Sequence, residues 1–338
     1  MGTDKVLVSG SGGWLGRALV DELVALPSKL HVRALLLNDS QRRELPALVE
    51  PMLGDICNPQ DCIRFCSEFK GGILFHTAGV IHPRRVREFY EVNVEGTKNL
   101  LNAACAAGVR RAVVVSSNSV CGCNPHPDHL FDEKSPHHPY LNYGRSKMLM
   151  ELAVREFQKN GLIETVIIRA PWFYGPYQPP RQTLFFKMIR DGNAPIVGDG
   201  NNLRSMAYLD NLTQGLILAA ASATANGQVY WIADERPYSM NEIVDTVEKL
   251  LEKEFGQKCA HRRLRLPGMA SDVAWLVDNL VQGAGFYHQK IHVLSEMNKT
   301  IACSIAKATA DLGYKPLIAL EDGMRRSLRW CFETGYLP

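Results

Sequence analysis

Short apolar runs alternate with longer amphipathic stretches from the first residues to about position 170. Val6-Leu7-Val8-Ser9 reads as a buried strand, and Leu19, Val20, Leu23 and Val24 recur at the spacing of one helix face. Val32 to Leu37 predicts a second strand, Met52 to Ile56 the end of a third, Ile73 to His76 a fourth and Val113 to Ser117 a fifth. An amphipathic helix over Leu100–Ala107 separates the last two. Strand and helix periods taking turns in this way predict an α/β fold, a Rossmann-type doubly wound parallel sheet.

The junctions of this pattern carry small and polar residues. Gly10, Gly13 and Gly16 lie between the first strand and the first helix, the order that a phosphate cradle requires. Gly10 takes the tight turn, Gly13 lets the backbone approach a pyrophosphate, and Gly16 permits close helix packing. The helix N-terminus then offers free N–H groups and partial positive charge to the anion. At the end of the second strand, Asn38 and Asp39 suit the ribose hydroxyls of NAD, whereas Arg42 or Arg43 suits the 2′-phosphate of NADP, so both dinucleotides stay open. Asp55 is placed either at the adenine or in a turn.

Composition narrows the class. The 338 residues include 38 basic and 35 acidic side chains, a net charge of +3, which gives no field for nucleic acid. Met1 to Lys5 leads into an apolar run too short for export or membrane spanning, so a cytoplasmic protein without a transmembrane segment is expected. The nine cysteines at irregular spacing then read as reduced thiols.

Tyr143 and Lys147 stand four residues apart in a helical stretch, which places phenol and ammonium side by side. A free tyrosine has a pKa of about 10, and a neighbouring cation is expected to stabilise its phenolate and bring it toward the working range. Ser117, at the carboxyl end of the fifth strand, is positioned to bond the same substrate oxygen.

These features together resemble the extended short-chain dehydrogenase/reductases, which include nucleotide-sugar epimerases and 3β-hydroxysteroid dehydrogenases. The resemblance runs through the three glycines, Asp55-Ile56, His76 to Ala78, Asn93 to Thr97, Ser116 to Gly122, Tyr143 with Lys147, Arg169 to Pro171, Tyr174 to Pro176, Gly198 to Gly200 and Arg204 to Asn211. It implies that Tyr143 is the acid/base, that Lys147 orients the nicotinamide ribose and that Ser117 polarises the carbonyl, while hydride passes between substrate carbon and nicotinamide. It also implies cofactor contacts from Trp14, Leu15, Ile56, Thr77, Ala78, Gly79, Asn93, Ala170 and Pro171, with Asn118 and Trp172 beside the substrate. Homodimerisation through the helices around Asn99–Ala107 and Tyr143–Phe157 is the family expectation. Dehydratases carry an Asp-Glu pair where this chain has Asn118 and Ser119, so dehydration is not expected.

After Pro171 the alternation gives way to segments rich in proline, glycine and aromatics, read as a smaller, interleaved substrate lobe over 172–338. The dinucleotide domain over 1–171 is expected to regain segments near 206–218 and 229–232. Trp172, Phe173, Tyr174, Tyr177, Phe185 and Phe186 read as pocket lining or core. Arg204 matches the arginine that holds a substrate diphosphate in nucleotide-sugar enzymes. A small-molecule substrate of that type is the leading expectation, and a bulky apolar alcohol or ketone the alternative; a non-catalytic dinucleotide sensor is the remaining reading.

The stretch 262–281 is basic and then apolar at helical spacing. It is expected to pack on the lobe, with peripheral membrane contact or substrate cover as alternatives. Cys121, Cys123, His126 and His129 have metal-like spacing, but the chemistry read at Tyr143 needs none, and no metal is assigned.

Overall fold

The computed structural model describes residues 3–337. The first half runs β1 (Lys5–Ser9), α1 (Trp14–Ala25), β2 (His31–Leu36), β3 (Glu50–Leu53), α2 (Pro59–Cys66), β4 (Ile73–His76), α3 (Val86–Tyr90), α4 (Thr97–Ala106), β5 (Arg111–Ser117), α5 (Leu141–Lys159) and β6 (Glu164–Ala170). Val6, Leu7 and Val8 of β1 are fully buried, as a central parallel strand covered on both faces must be.

The second half follows as β7 (Trp172–Tyr174), α6 (Pro180–Arg190), β8 (Pro195–Val197), β9 (Leu203–Arg204), β10 (Met206–Tyr208), α7 (Leu209–Ala221), β11 (Val229–Trp231), β12 (Tyr238–Ser239), α8 (Met240–Lys253), β13 (Leu264–Leu266), α9 (Met269–Gly283), α10 (Gln289–Glu296), α11 (Ala306–Leu312) and α12 (Leu320–Glu333). Seven parallel strands form one sheet in the order β11-β6-β5-β4-β1-β2-β3. The order reverses between β1 and β4, which opens a crevice at their carboxyl ends. One apolar layer, with Leu19, Val20, Leu212 and Leu216, covers one face; the other, with Phe65, Leu100, Leu101 and Met150, covers the opposite face.

Residues beyond β6 thus return to the large sheet: β11 pairs with β6 at its edge, and α7 packs in the same layer as α1. The buried Arg111 guanidinium reaches from β5 to the carbonyls of Ala219 and Ala220, at 3.1 and 3.0 Å, and so satisfies the C-terminus of α7. A third core, around Tyr174, Phe186, Tyr208, Val247 and Leu328, belongs to the lobe. Phe186 is fully buried there, and Trp172 and Phe185, edge to face on each other, pack against the same core, so these three rings are lobe packing.

The segment expected to pack its apolar face on the lobe does the reverse. In α9 the buried positions are Ser271, Ala274, Asp278 and Gln282, while Met269, Val273, Leu276 and Leu280 are exposed. Polar contacts hold the α9–α10 hairpin. Asp278 pairs with His292 at 2.8 Å, Gln282 accepts from Asn142 at 2.9 Å, and Tyr140 bonds Ser295 at 2.8 Å. Asn142 opens the same turn of α5 as Tyr143, so the hairpin sits beside the candidate site.

Candidate active site

The glycine loop closes on itself at the switch point. Gly10 has φ of +74°, and a Cβ there would lie 2.6 Å from the Ala78 amide nitrogen at the end of β4. A Cβ on Gly16 would lie 2.1 Å from the Gly10 carbonyl oxygen. Gly13, in contrast, is exposed and extended at the start of α1, and its Cβ would meet only that same oxygen, at 3.1 Å. The loop is therefore packed from below and open above, the shape into which a pyrophosphate fits. Trp14 anchors this helix start through its indole N–H to the Pro176 carbonyl at 2.6 Å, and Leu15 is buried beneath it.

The residue that reaches this loop from the end of β2 is Gln41, which the sequence reading passed over. Its Oε1 accepts from the Leu37 and Asn38 amides at 3.1 and 3.2 Å, and its Nε2 donates to the Gly12 carbonyl at 3.3 Å. Asp39 and Arg42 instead face each other at 3.9 Å on an exposed turn. The signal was the spacing of Asn38 and Gln41, that of a capping box. Asp55 takes the turn alternative: its Oδ1 accepts from the Cys57 amide at 2.8 Å, and its own amide donates to Asp61 at 2.9 Å. Ile56 is buried against Gly96.

Across the crevice, Thr77 ties the end of β4 to β1 by donating its hydroxyl to the Ser9 carbonyl at 2.7 Å. Asn93 lies in a π-turn over Glu91–Gly96, donates to Val80 and Ser146 at 3.0 Å, and accepts from the Val80 amide at 2.9 Å. A Cβ on Gly79 would come within 3.1 Å of Asn93 Oδ1 and 3.3 Å of Lys147 Nζ, so the β4 loop, Asn93 and Lys147 line one recess. His76 beneath it is held neutral: burial, helped by the Lys147 charge, pushes its pKa down to about 3. Ala170 and Pro171 are buried at the end of β6.

Tyr143 and Lys147 share a face of α5, but the expected coupling is absent in this state. Lys147 Nζ is turned to the Val115 carbonyl at 3.0 Å, and burial lowers its pKa to about 8. Burial instead pushes Tyr143 up to about 12, opposed by the facing Ser117 hydroxyl and, from a distance, by Arg181. Desolvation outweighs the cation here because the ammonium is engaged by β5. Ser117 is buried at the end of β5 and donates to Asn118 Oδ1 at 3.1 Å or Ser119 Oγ at 3.3 Å. Ser117 and Tyr143 are thus brought together, with the Lys147 ammonium held nearby on β5.

Cys121 Sγ lies 3.6 Å from Arg169. Arg169 is part of a buried knot in which Glu151 accepts from Arg169 at 3.0 and 2.9 Å and from Ser116 at 2.7 Å. Among the described residues no group of three or more histidine, cysteine or acidic side chains is arranged to hold a metal. Trp172 bonds Gln182 at 3.3 Å. Arg204 is no surface ion pair: it donates to the Glu296 carbonyl at 2.5 Å, and its Nε is buried without a partner.

Arg181 was also missed. It lies in the first turn of α6, where a cation opposes the helix dipole, and that placement was the available signal. It is exposed and forms no ion pair or hydrogen bond among the described residues, and its charge acts on Tyr143, Tyr287 and His82.

Residues 6–233 match the NAD dependent epimerase/dehydratase family. The chain belongs to that family. It is 50% identical to an uncharacterised protein of Sinorhizobium fredii, over 98% of this chain and 96% of that one. It is 31% identical to a 3-beta-hydroxysteroid dehydrogenase of Mycolicibacterium neoaurum, over 96% and 90%. It is 29% identical to the N-acetyl-alpha-D-glucosaminyl-diphospho-ditrans,octacis-undecaprenol 4-epimerase of Escherichia coli O157:H7, over 75% and 74%. This enzyme of the epimerase/dehydratase family has no helix among its described residues long and apolar enough to cross a membrane.

Proposed function

We propose that the enzyme interconverts a secondary alcohol and ketone on a sugar carried by a diphosphate, with epimerisation as the net outcome. The observation that carries this reading is Arg181, an exposed guanidinium without an ion pair among the described residues whose charge acts on Tyr143, with Arg204 half-satisfied in the lobe. A substrate bearing a diphosphate compensates such cations, and bidentate bonding to phosphate is what guanidinium geometry favours. A neutral sterol would offer neither of them a counter-charge.

Gly10, Gly13 and Gly16 with the N-terminus of α1 would hold the pyrophosphate of NAD, and Gly79, Asn93 and Lys147 would flank its nicotinamide ribose. When bound, the nicotinamide accepts and returns hydride. Tyr143 holds and moves the proton at its phenol oxygen, Ser117 donates to the same substrate oxygen, and both are held by rigid elements, β5 and α5. Lys147, held at about pKa 8 and four residues on from Tyr143 in α5, would turn from the Val115 carbonyl to support the phenolate. Asn118 and Ser119 supply no carboxylate beside Ser117, which disfavours elimination of water.

The diphosphate is that of a nucleoside or of a polyprenol; the Escherichia coli relative, by its name, acts on the latter. The test incubates the enzyme with NAD and a uridine-diphosphate hexose or polyprenyl-diphosphate hexose, reading the new epimer by proton NMR and net reduction at the nicotinamide absorbance. The expected result is an epimer without net reduction, slowed about 10²- to 10⁴-fold in Tyr143→Phe. Conversion of 3β-hydroxysteroids with stoichiometric NADH, and of no sugar diphosphate, would refute the proposal.

A further inference from the structure

A helix on a protein surface ordinarily turns its apolar stripe inward. In α9 the stripe faces out. Met269 is 73% exposed, Val273 59%, Leu276 56% and Leu280 68%, while Ser271 and Asp278 are at 0%. At 3.6 residues per turn the exposed positions, with Val277, fall within an arc of roughly 100°. Phe286, just beyond the helix, continues the patch at 58% exposure. No apolar face this long arises from scattered surface residues.

Its charges say what covers it. The one carboxylate exposed on α9, Asp272, is paired with Lys299 at 2.8 Å. Arg84 and Arg85 flank the patch at Phe286, are exposed and form no ion pair among the described residues. Arg84 and Arg85 are fixed against Phe286: Arg85 bridges to it antiparallel, and the Tyr287 amide donates to the Arg84 carbonyl at 3.2 Å. Apolar side chains rimmed by free cations are complementary to an anionic bilayer surface. A second copy of this chain would bring the same unpaired cations face to face.

We propose that the outward face of α9, with Phe286, docks this enzyme on an anionic lipid surface. The seat adjoins the site. Tyr287, next to Phe286, bonds His82 at 2.7 Å and packs edge to face on Phe89 at 5.3 Å, and Phe89 lies 5.7 Å from Tyr143. Docking therefore brings the candidate site close to lipid-anchored molecules. This consequence rests on the diphosphate reading above, but the docking itself does not.

The experiment is co-sedimentation of the full chain, without substrate, with phosphatidylcholine vesicles containing about one-third phosphatidylglycerol and with pure phosphatidylcholine vesicles. Binding is expected to the anionic vesicles and to weaken with salt. Arg84→Gln/Arg85→Gln should weaken it by about fivefold per charge removed, and Leu276→Glu/Leu280→Glu by at least about tenfold. All four positions are exposed, so melting temperatures should stay within a few degrees of the parent. Absence of binding by the parent chain, or undiminished binding by the Leu276→Glu/Leu280→Glu variant, overturns the proposal. So does sedimentation showing a dimer that this variant dissolves, which would identify a second copy as the cover. Because no turnover is read, failure here leaves the diphosphate reading standing.

Discussion

Replacing Lys147 with methionine is expected to stabilise the folded enzyme while abolishing turnover. The ammonium is 5% exposed and burial holds its pKa at about 8 against an ordinary 10.5. That difference corresponds to about 3 kcal/mol against the charged form in the fold at neutral pH. Methionine keeps the stem and removes the charge. It also leaves the Val115 carbonyl without the donor now 3.0 Å away, a loss of about 1–2 kcal/mol. The net gain is then about 1–2 kcal/mol, or a few degrees in melting temperature for a chain of this size.

The sign reverses with pH. Because the folded pKa lies below the unfolded one, the unfolded chain holds this proton more tightly, and parental stability rises as pH climbs from about 8 to 10.5. The advantage of Lys147→Met should therefore be full at pH 7 and turned into a deficit by about pH 10.5, where only the lost bond to Val115 remains. Urea denaturation of both proteins across this range, freed of NAD so that cofactor binding does not contribute, makes the measurement. A variant less stable than its parent at pH 7, or an advantage that does not shrink with pH, would refute the reasoning.

Two further substitutions probe the frame around the site. Glu151→Gln strands the buried Arg169 guanidinium among Ser116, His137 and Cys121, so the urea midpoint should fall by the equivalent of about 3–5 kcal/mol. Gly16→Ala places a methyl 2.1 Å from the Gly10 carbonyl, so the loop must open; calorimetric NAD affinity should drop by at least about tenfold, and unchanged affinity would dissociate the loop from cofactor binding.

The strands and the glycine cradle were legible because their signals are local: a buried parallel strand is a continuous apolar run, and a phosphate turn needs glycine where no Cβ fits. Tyr143 and Lys147 were legible for the same reason, as a spacing within one helix. Their electrostatics were not, since the Lys147 contact to Val115 depends on how β5 docks against α5. Gln41 and Arg181 escaped notice because each acts across the fold, from a short 3₁₀ turn and from the lobe. The periodicity of 269–281 was read correctly as helical, but periodicity gives the existence of an apolar face and not its direction; only the polar partners Asn142 and His292 turned it outward.

The pairing of β11 with β6 bears on how the polypeptide is made. On a ribosome, the stretch that ends at Ala170 emerges with the outermost strand of its sheet bare, and Val229 to Trp231, which seal it, arrive some sixty residues later. During that interval the nascent chain presents an unguarded row of amide and carbonyl groups, a template for sticking to its neighbours. Truncation at the apparent end of the dinucleotide unit would make that hazard permanent.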